Sequence, residues 1–203
     1  MDTGALHGYL QAREALIASA VPGTSAAREL ADLTDEAVSA LAEAASPSVA
    51  APFAVFALGG YGAHRLLPYS DIDLLVLSEG SAADLDPLVR GVFYPLWDVG
   101  LTVGHQVRSP KAHMQAIRED IQNLTAFLTA RQVAGDVALG ARTLADVFKR
   151  LRKDALRVRK EISDRERRGS PYLLEPDLKE GAGGQRDIDE LVWYAALDTG
   201  VPA

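Results

Sequence analysis

A glycine pair closing one apolar run and an aspartate pair opening the next constrain this chain more than any other feature. Phe53-Ala-Val-Phe-Ala-Leu58 ends at Gly59-Gly60, the shape of a buried strand entering a tight turn. After ten intervening residues Asp71 and Asp73 flank Ile72 at the head of a second apolar run, Ile72-Asp-Leu-Leu-Val-Leu77. At i and i+2 of a strand, both carboxylates project from one face. Such a pair repels itself unless a cation lies between. Hard oxygen donors suit Mg²⁺, with Mn²⁺ as the alternative, and Mg²⁺ commonly binds through one or two carboxylates plus substrate phosphates. Glycines after a strand let backbone N–H groups approach a triphosphate without a Cβ in the way. Each pair alone is a weak signal; in this order and at this spacing they reinforce each other.

The rest of the chain organises around that centre. Residues 5 to 20 and 25 to 45 are rich in Ala and Leu and read as two helices parted at Pro22-Gly23. Residues 84 to 98 read as a helix with Pro87 in its first turn, and Leu101 to Val107 as a third, more polar strand. Beyond Ser109-Pro110 the pattern turns helical: residues 112 to 119, 122 to 133 and 136 to about 168, broken at Gly169-Ser170-Pro171. An extended stretch from Tyr172 to Lys179 then leads into a glycine-rich loop, Glu180 to Gly184, and a last helix from about Arg186 to Leu197. The expected organisation is an N-terminal helical segment over 1–50, a small mixed-sheet core over 51–110 and a helical region over 111–203 carrying the glycine-rich loop. The fold class is α+β.

Composition excludes several functions. The chain has no cysteine, which removes disulfides, thiolate zinc sites and cysteine nucleophiles. With 28 acidic against 21 basic residues the net charge is −7, which argues against broad nucleic-acid binding. No apolar run approaches the roughly 20 residues of a membrane helix, and the first residues lack the features of a secretory signal; a cytoplasmic protein is expected. Charge is uneven, however. Residues 149 to 168 hold ten basic and four acidic residues, either a strip for an acidic partner or a solvated helix face paired at helical spacing.

Three blocks carry a resemblance to a known family: GGYGAHRLLPYSDIDLLVL (59 to 77), LWDVGLTVGHQVRS (96 to 109, with GDVAL at 135 to 139) and LLEPDLKEGAGGQRDIDELVWYA (173 to 195). Together they resemble the nucleotidyltransferase superfamily, and most closely the bacterial PII uridylyltransferases. That resemblance implies a DNA polymerase β-like fold and transfer of UMP from UTP, or AMP from ATP, to a tyrosine of the PII signal protein. By motif position Gly59 and Gly60 hold the triphosphate, Asp71 and Asp73 hold Mg²⁺, and Ser70 flanks the metal site. Lys179, Gly183, Gly184, Arg186 and Asp187 match the later block that closes over the nucleotide side. As cations framing a glycine-rich loop, Lys179 and Arg186 suit phosphate; the alternative is a loop-to-helix junction in which Asp187 caps or pairs.

The chain departs from the family pattern in three ways. Ala63-His64-Arg65 stands where the family usually has Arg-Gly-Glu, so Arg65 is the candidate replacement for a phosphate-binding arginine. Superfamily enzymes often carry a third carboxylate on a later strand; here Thr102 stands where some relatives have Glu, Asp98 is the nearest acid, and His105 is either a base or a structural histidine. The family continues into an HD phosphohydrolase domain and two ACT domains. This sequence has no His-Asp dipeptide, so uridylyl removal and glutamine sensing are expected to be absent from it, whether it is a piece or a stand-alone transferase. Tyr61 and Tyr69 are candidates to stack a base, whereas Trp97 and Trp193 lie on apolar helix faces and read as core. Two further readings stay open: a degenerate nucleotide-binding regulatory module, and a transferase with a different acceptor.

Overall fold

The computed structural model describes residues 3–19, 21, 23–164, 174–175 and 177–203. At its centre β1 (Phe53–Ala57) runs antiparallel to β2 (Ile72–Ser78), and β2 runs parallel to β3 (Val103–Arg108). A fourth strand, β4 (Arg131–Gly135), pairs antiparallel with the other edge of β1, giving the order β3-β2-β1-β4. Helices cover both faces, so the architecture is α+β with a small mixed sheet, nucleotidyltransferase-like as the sequence indicates.

The two faces explain why the strands read as continuous apolar runs rather than alternating ones. Phe53, Val55 and Ala57 turn to one side with Ile72, Leu74 and Val76. There they meet α1 (Thr3–Ala18), α2 (Gly23–Ala45) and α4 (Ala82–Asp98), through Tyr9, Val38 and Phe93 among others. Ala54, Phe56 and Leu58 turn to the other side with Leu75 and Leu77. That side is covered by α5 (Pro110–Glu119), α6 (Ile121–Phe127), α7 (Val137–Lys153), α8 (Ala155–Ser163) and α9 (Gln185–Thr199). Phe56 and Phe127, with ring centroids 5.9 Å apart, join sheet to helices in this second core; burying each such ring contributes about 2–3 kcal/mol.

Three expectations change. The apolar pattern of residues 122 to 133 looks helical, but α6 stops at Phe127 and residues 131 to 135 form β4. Backbone groups on the free edge of β1 outweigh local propensity there. Gly135 makes the close approach feasible: at φ +87° a Cβ would meet the Phe53 carbonyl oxygen at 2.3 Å. The sheet therefore takes a strand from the stretch expected to be helical. Second, α4 starts at Ala82, under a capping box in which Ser81 and Asp84 exchange hydrogen bonds, so Pro87 lies beyond its first turn. Third, the helix expected over 136 to 168 breaks at Asp154 into α7 and α8. The expected stop at Gly169-Ser170-Pro171 and the first part of the stretch from Tyr172 lie outside the described residues.

The basic segment reads as a solvated face where it is described. Arg150 pairs with Asp154 at 3.3 Å, Arg157 with Glu161 and Lys160 with Asp164, each one helical turn apart, and Arg159 reaches Asp198 on α9. Residues 165 to 168 lie outside the described part. Among the described residues no helix is long and apolar enough to cross a membrane.

Candidate active site

The chain leaves β1 at Leu58, whose amide donates to the Asp73 carbonyl at 3.0 Å, and enters a helical turn, α3 (Gly59–Gly62). Gly59 adopts φ +56°, a conformation open to glycine at little cost. Gly62 and Ala63 donate to the carbonyls of Leu58 and Gly59 at 2.9 and 3.0 Å, closing the turn. The amides of Gly59, Gly60 and Tyr61 are the ones a helical start leaves without an internal acceptor. Behind the turn, Thr129 Oγ1 donates to the Gly59 carbonyl at 2.9 Å and Arg65 N donates to the Gly60 carbonyl at 2.8 Å. Gly62 matters as much as the expected pair: a Cβ there would sit 2.3 Å from the Thr129 carbonyl oxygen.

Tyr61 is not free to stack a base. Its ring is buried, and its hydroxyl donates to Asp35 Oδ1 at 2.7 Å on α2, where Arg131 also binds the Asp35 carboxylate. Burial first, and Asp35 second, hold its pKa well above the usual tyrosine value. Tyr61 therefore anchors the glycine turn to the helical layer, whereas Tyr69 is 94% exposed at the cleft rim. His64 takes φ +51° and is tied to Asp32 Oδ1 through Nδ1 at 3.0 Å.

Asp71 lies just ahead of β2 rather than inside it, and Asp73 is the second residue of the strand. Asp73 shares the sheet face of Leu75 and Leu77, the one that fronts α6 to α9. Its register partner on β3 is Gly104, where a Cβ would lie 2.4 Å from Asp73 Oδ1; a Cβ on Gly59 would lie 3.9 Å from Oδ2. The carboxylate is thus seated between two glycines on neighbouring segments. Although its edge is open to solvent, desolvation by the surrounding atoms raises the Asp73 pKa, the Asp71 charge raises it further, and Lys179 opposes both. Two mutually repelling carboxylates with an opposed lysine form a donor set that fits a hard divalent cation. No group of three His, Cys, Asp or Glu side chains suited to a metal occurs among the described residues.

No third acid joins them from β3. Gly104 and Gln106 alternate onto the Asp73 face, and neither can ionise; Thr102 precedes β3 and borders a separate hollow beside Tyr9 and Leu30. His105 is exposed, and its ring turns to the other side, 5.2 Å from Phe93 and 5.1 Å from Trp97, so it is not placed as a base beside Asp73. Asp98 is not part of the cleft wall. Trp193 is buried in the second core, with an edge that borders the cleft, and Trp97 packs half-buried against the first core.

The opposite wall comes from the glycine-rich loop and α9. Arg186 Nε donates to Glu180 Oε1 at 3.1 Å and its Nη1 donates to Asp189 Oδ2 at 3.3 Å, while Arg65 Nη2 meets Asp189 Oδ1 at 2.8 Å. Asp189 is a residue that the sequence reading missed; its spacing from Arg186 on a helix was the available signal. Gly183 and Gly184 build the loop and do not line the cleft. Gly183 takes φ +77°, its amide donates to Asp187 Oδ2 at 2.8 Å, and a Cβ on Gly184 would meet two carbonyl oxygens at 2.8 Å. Asp187 thus acts as a junction cap. The other candidates surround one cleft of about 1030 Å³: Gly59, Gly60, Arg65, Ser70, Asp71, Asp73, Lys179 and Arg186 all reach it. That volume accommodates a nucleotide. One wall is acidic and adjoins the first amides of the glycine turn and the other carries cations, an arrangement able to hold a polyphosphate with a divalent cation.

Comparison with known proteins gives this arrangement a family context. The family model described as GlnD PII-uridylyltransferase matches residues 152–201, which include the glycine-rich loop and α9. The chain is 35% identical to the bifunctional uridylyltransferase/uridylyl-removing enzyme of Phenylobacterium zucineum over 85% of its own length and 20% of that protein. It is 37% identical to the enzyme of the same name from Gluconobacter oxydans, over 88% of the chain and 20% of the relative. For the Streptomyces coelicolor enzyme of that name the identity is 36%, over 93% and 24%. The chain therefore spans about a fifth to a quarter of the length of these curated relatives.

Proposed function

This chain is a homologue of the bifunctional uridylyltransferase/uridylyl-removing enzymes, and from that premise we propose that it is a nucleotidyltransferase acting on a protein hydroxyl. The donor is UTP or ATP and the acceptor a tyrosine of a PII-type signal protein, in the cytoplasm. The observation that carries this reading is the Asp73 carboxylate seated between Gly59 and Gly104, with Asp71 beside it and the glycine turn adjoining.

In the proposed reaction the acceptor oxygen attacks the α-phosphorus in line, the bond from that phosphorus to the pyrophosphate oxygen breaks, and the acceptor proton leaves to solvent. Amides of the glycine turn hold the triphosphate tail, and Ser70 borders the same space. Asp71 and Asp73 would hold Mg²⁺, which supplies neutralisation of charge on the transferring phosphoryl group. Among the described residues two carboxylates present themselves there, so oxygens of the nucleotide and of water would supply the rest of that cation's ligands. Lys179, Arg65 and Arg186 stabilise the charge that accumulates on departing pyrophosphate.

A second reading, a nucleotide-binding regulatory module without turnover, is favoured by one observation: β3 offers Gly104 and Gln106 to the Asp73 face, and no acid. Intact-mass spectrometry separates the two. PII protein is incubated with the chain, Mg²⁺ and either UTP or ATP, beside an Asp71→Ala/Asp73→Ala double variant. An added nucleoside monophosphate that vanishes with the variant is the expected result and names the donor. Mg²⁺-dependent nucleotide binding without an adduct would favour the regulatory module or another acceptor. Absence of any nucleotide binding overturns both readings.

A further inference from the structure

Asp189 sits at the base of the cleft with a side chain only 5% exposed, yet it meets two arginines from segments far apart in sequence. Arg65 follows the glycine turn, and its amide is fixed to the Gly60 carbonyl at 2.8 Å. Arg186 stands in the first turn of α9 and is braced from the other side by Glu180 at 3.1 Å. We propose that Asp189 is a positioning residue that gathers Arg65 and Arg186 into one clamp for the terminal phosphates of a nucleoside triphosphate. This inference rests on the nucleotidyltransferase reading.

Three observations carry it. The two arginine side chains remain partly exposed, 35% for Arg65 and 30% for Arg186, and both border the cleft. The Arg65 contact is ionic rather than an aligned hydrogen bond: Asp189 Oδ1 lies 2.8 Å from Nη2 yet accepts no hydrogen bond among the described residues. Nη2 faces Asp189, the other N–H groups of Arg65 border the cleft, and a guanidinium fork matches two phosphate oxygens at once. Finally, two guanidiniums brought to one place repel each other unless an anion lies between them. Asp189 supplies that anion from inside the protein, so the phosphates meet cations already held in place.

The test compares affinities for triphosphate and monophosphate. UTP and ATP, each with Mg²⁺, are titrated against UMP and AMP for wild type, Asp189→Asn and Arg65→Gln. Asp189→Asn keeps the shape and removes the charge. The expected result is a loss of about tenfold in triphosphate affinity, or about 1.4 kcal/mol. Monophosphate affinity should stay within about twofold, because one electrostatic contact is lost and only the terminal phosphates use it. Arg65→Gln should behave alike, and it keeps the test open if Asp189→Asn fails to fold. An unchanged triphosphate-to-monophosphate ratio overturns the inference. So does a parallel loss of both affinities together with melting temperature, which marks a merely structural role, or tighter triphosphate binding, which marks Asp189 as a competitor for the arginines. Wild type that binds no nucleotide overturns the nucleotidyltransferase reading, and this inference with it.

Discussion

Asp73 and Gly104 face each other across parallel strands, and the Asp73 carboxylate occupies the space that a side chain at position 104 would need: a Cβ there would lie 2.4 Å from Oδ1. The glycine is thus part of the carboxylate's seat. Nothing about the strand itself requires it, since β3 holds an ordinary extended conformation at this point and positive φ occurs at other glycines.

Gly104→Ala should displace the carboxylate while sparing the fold. A shift of about 1 Å at a reacting group costs on the order of 10²-fold in rate. We expect a loss of that order in nucleotide transfer, with a melting temperature close to wild type. Steady-state rates and a thermal melt on the same preparation check it. A wild-type rate would show that the Asp73 position is not critical.

The titration of Asp73 should respond to its two charged neighbours in opposite directions. Asp71 raises its pKa and Lys179 lowers it, on top of the larger effect of desolvation. Asp71→Asn should therefore bring the Asp73 pKa down toward the ordinary carboxylate value, and Lys179→Met should push it further up. Carbon-detected NMR titration of the side-chain carboxyl reads both shifts without any need for turnover.

His113 should make stability depend on acidity. Its ring is 1% exposed and stands edge-on to Phe127 at 4.5 Å, with neither nitrogen hydrogen-bonded among the described residues. Desolvation first and the Arg108 charge second lower its pKa from 6.5 to about 4. The unfolded chain then binds the proton more readily than the folded one. Folding loses stability as pH falls below about 6.5, and the loss levels off below about 4. The total is about 3 kcal/mol. His113→Leu should remove this part of the pH dependence, as urea unfolding at pH 7 and pH 4.5 would measure.

At position 64 the backbone itself predicts a stability order. His64 holds φ +51°, where a Cβ is strained and glycine is not. Both His64→Gly and His64→Ala lose the exposed pairing with Asp32, worth roughly 0.5 kcal/mol. They differ in strain, so the glycine variant should be the more stable by about 1 kcal/mol. Equal midpoints in urea would mean that the turn relaxes around the substitution.

Chemistry confined to one segment was legible without the fold. Gly59-Gly60 and Asp71/Asp73 announce themselves because a tight turn needs glycine locally and because the aspartates stand together at the head of an apolar run, although β2 begins only at Ile72, after Asp71. The two N-terminal helices and the first three strands were readable for the same reason, since propensity and punctuation act over a few residues. The capping role of Asp187 likewise follows from its place just inside a helix start.

Other features depended on which segments meet. Arg131 to Gly135 became a strand because β1 had an open edge, which no local pattern at 131 to 135 records. The parallel register of β2 and β3 turned His105 to the Phe93 and Trp97 side and left Gly104 beneath Asp73. Tyr61 became an anchor only when Asp35 came within 2.7 Å, and Arg65 gained its counter-ion only when α9 folded over the turn. The sequence by itself determined the turn and the carboxylate pair, because their geometry is set by neighbouring bonds. Tertiary structure alone decided register, burial and charge pairing, because these arise where distant residues come into contact.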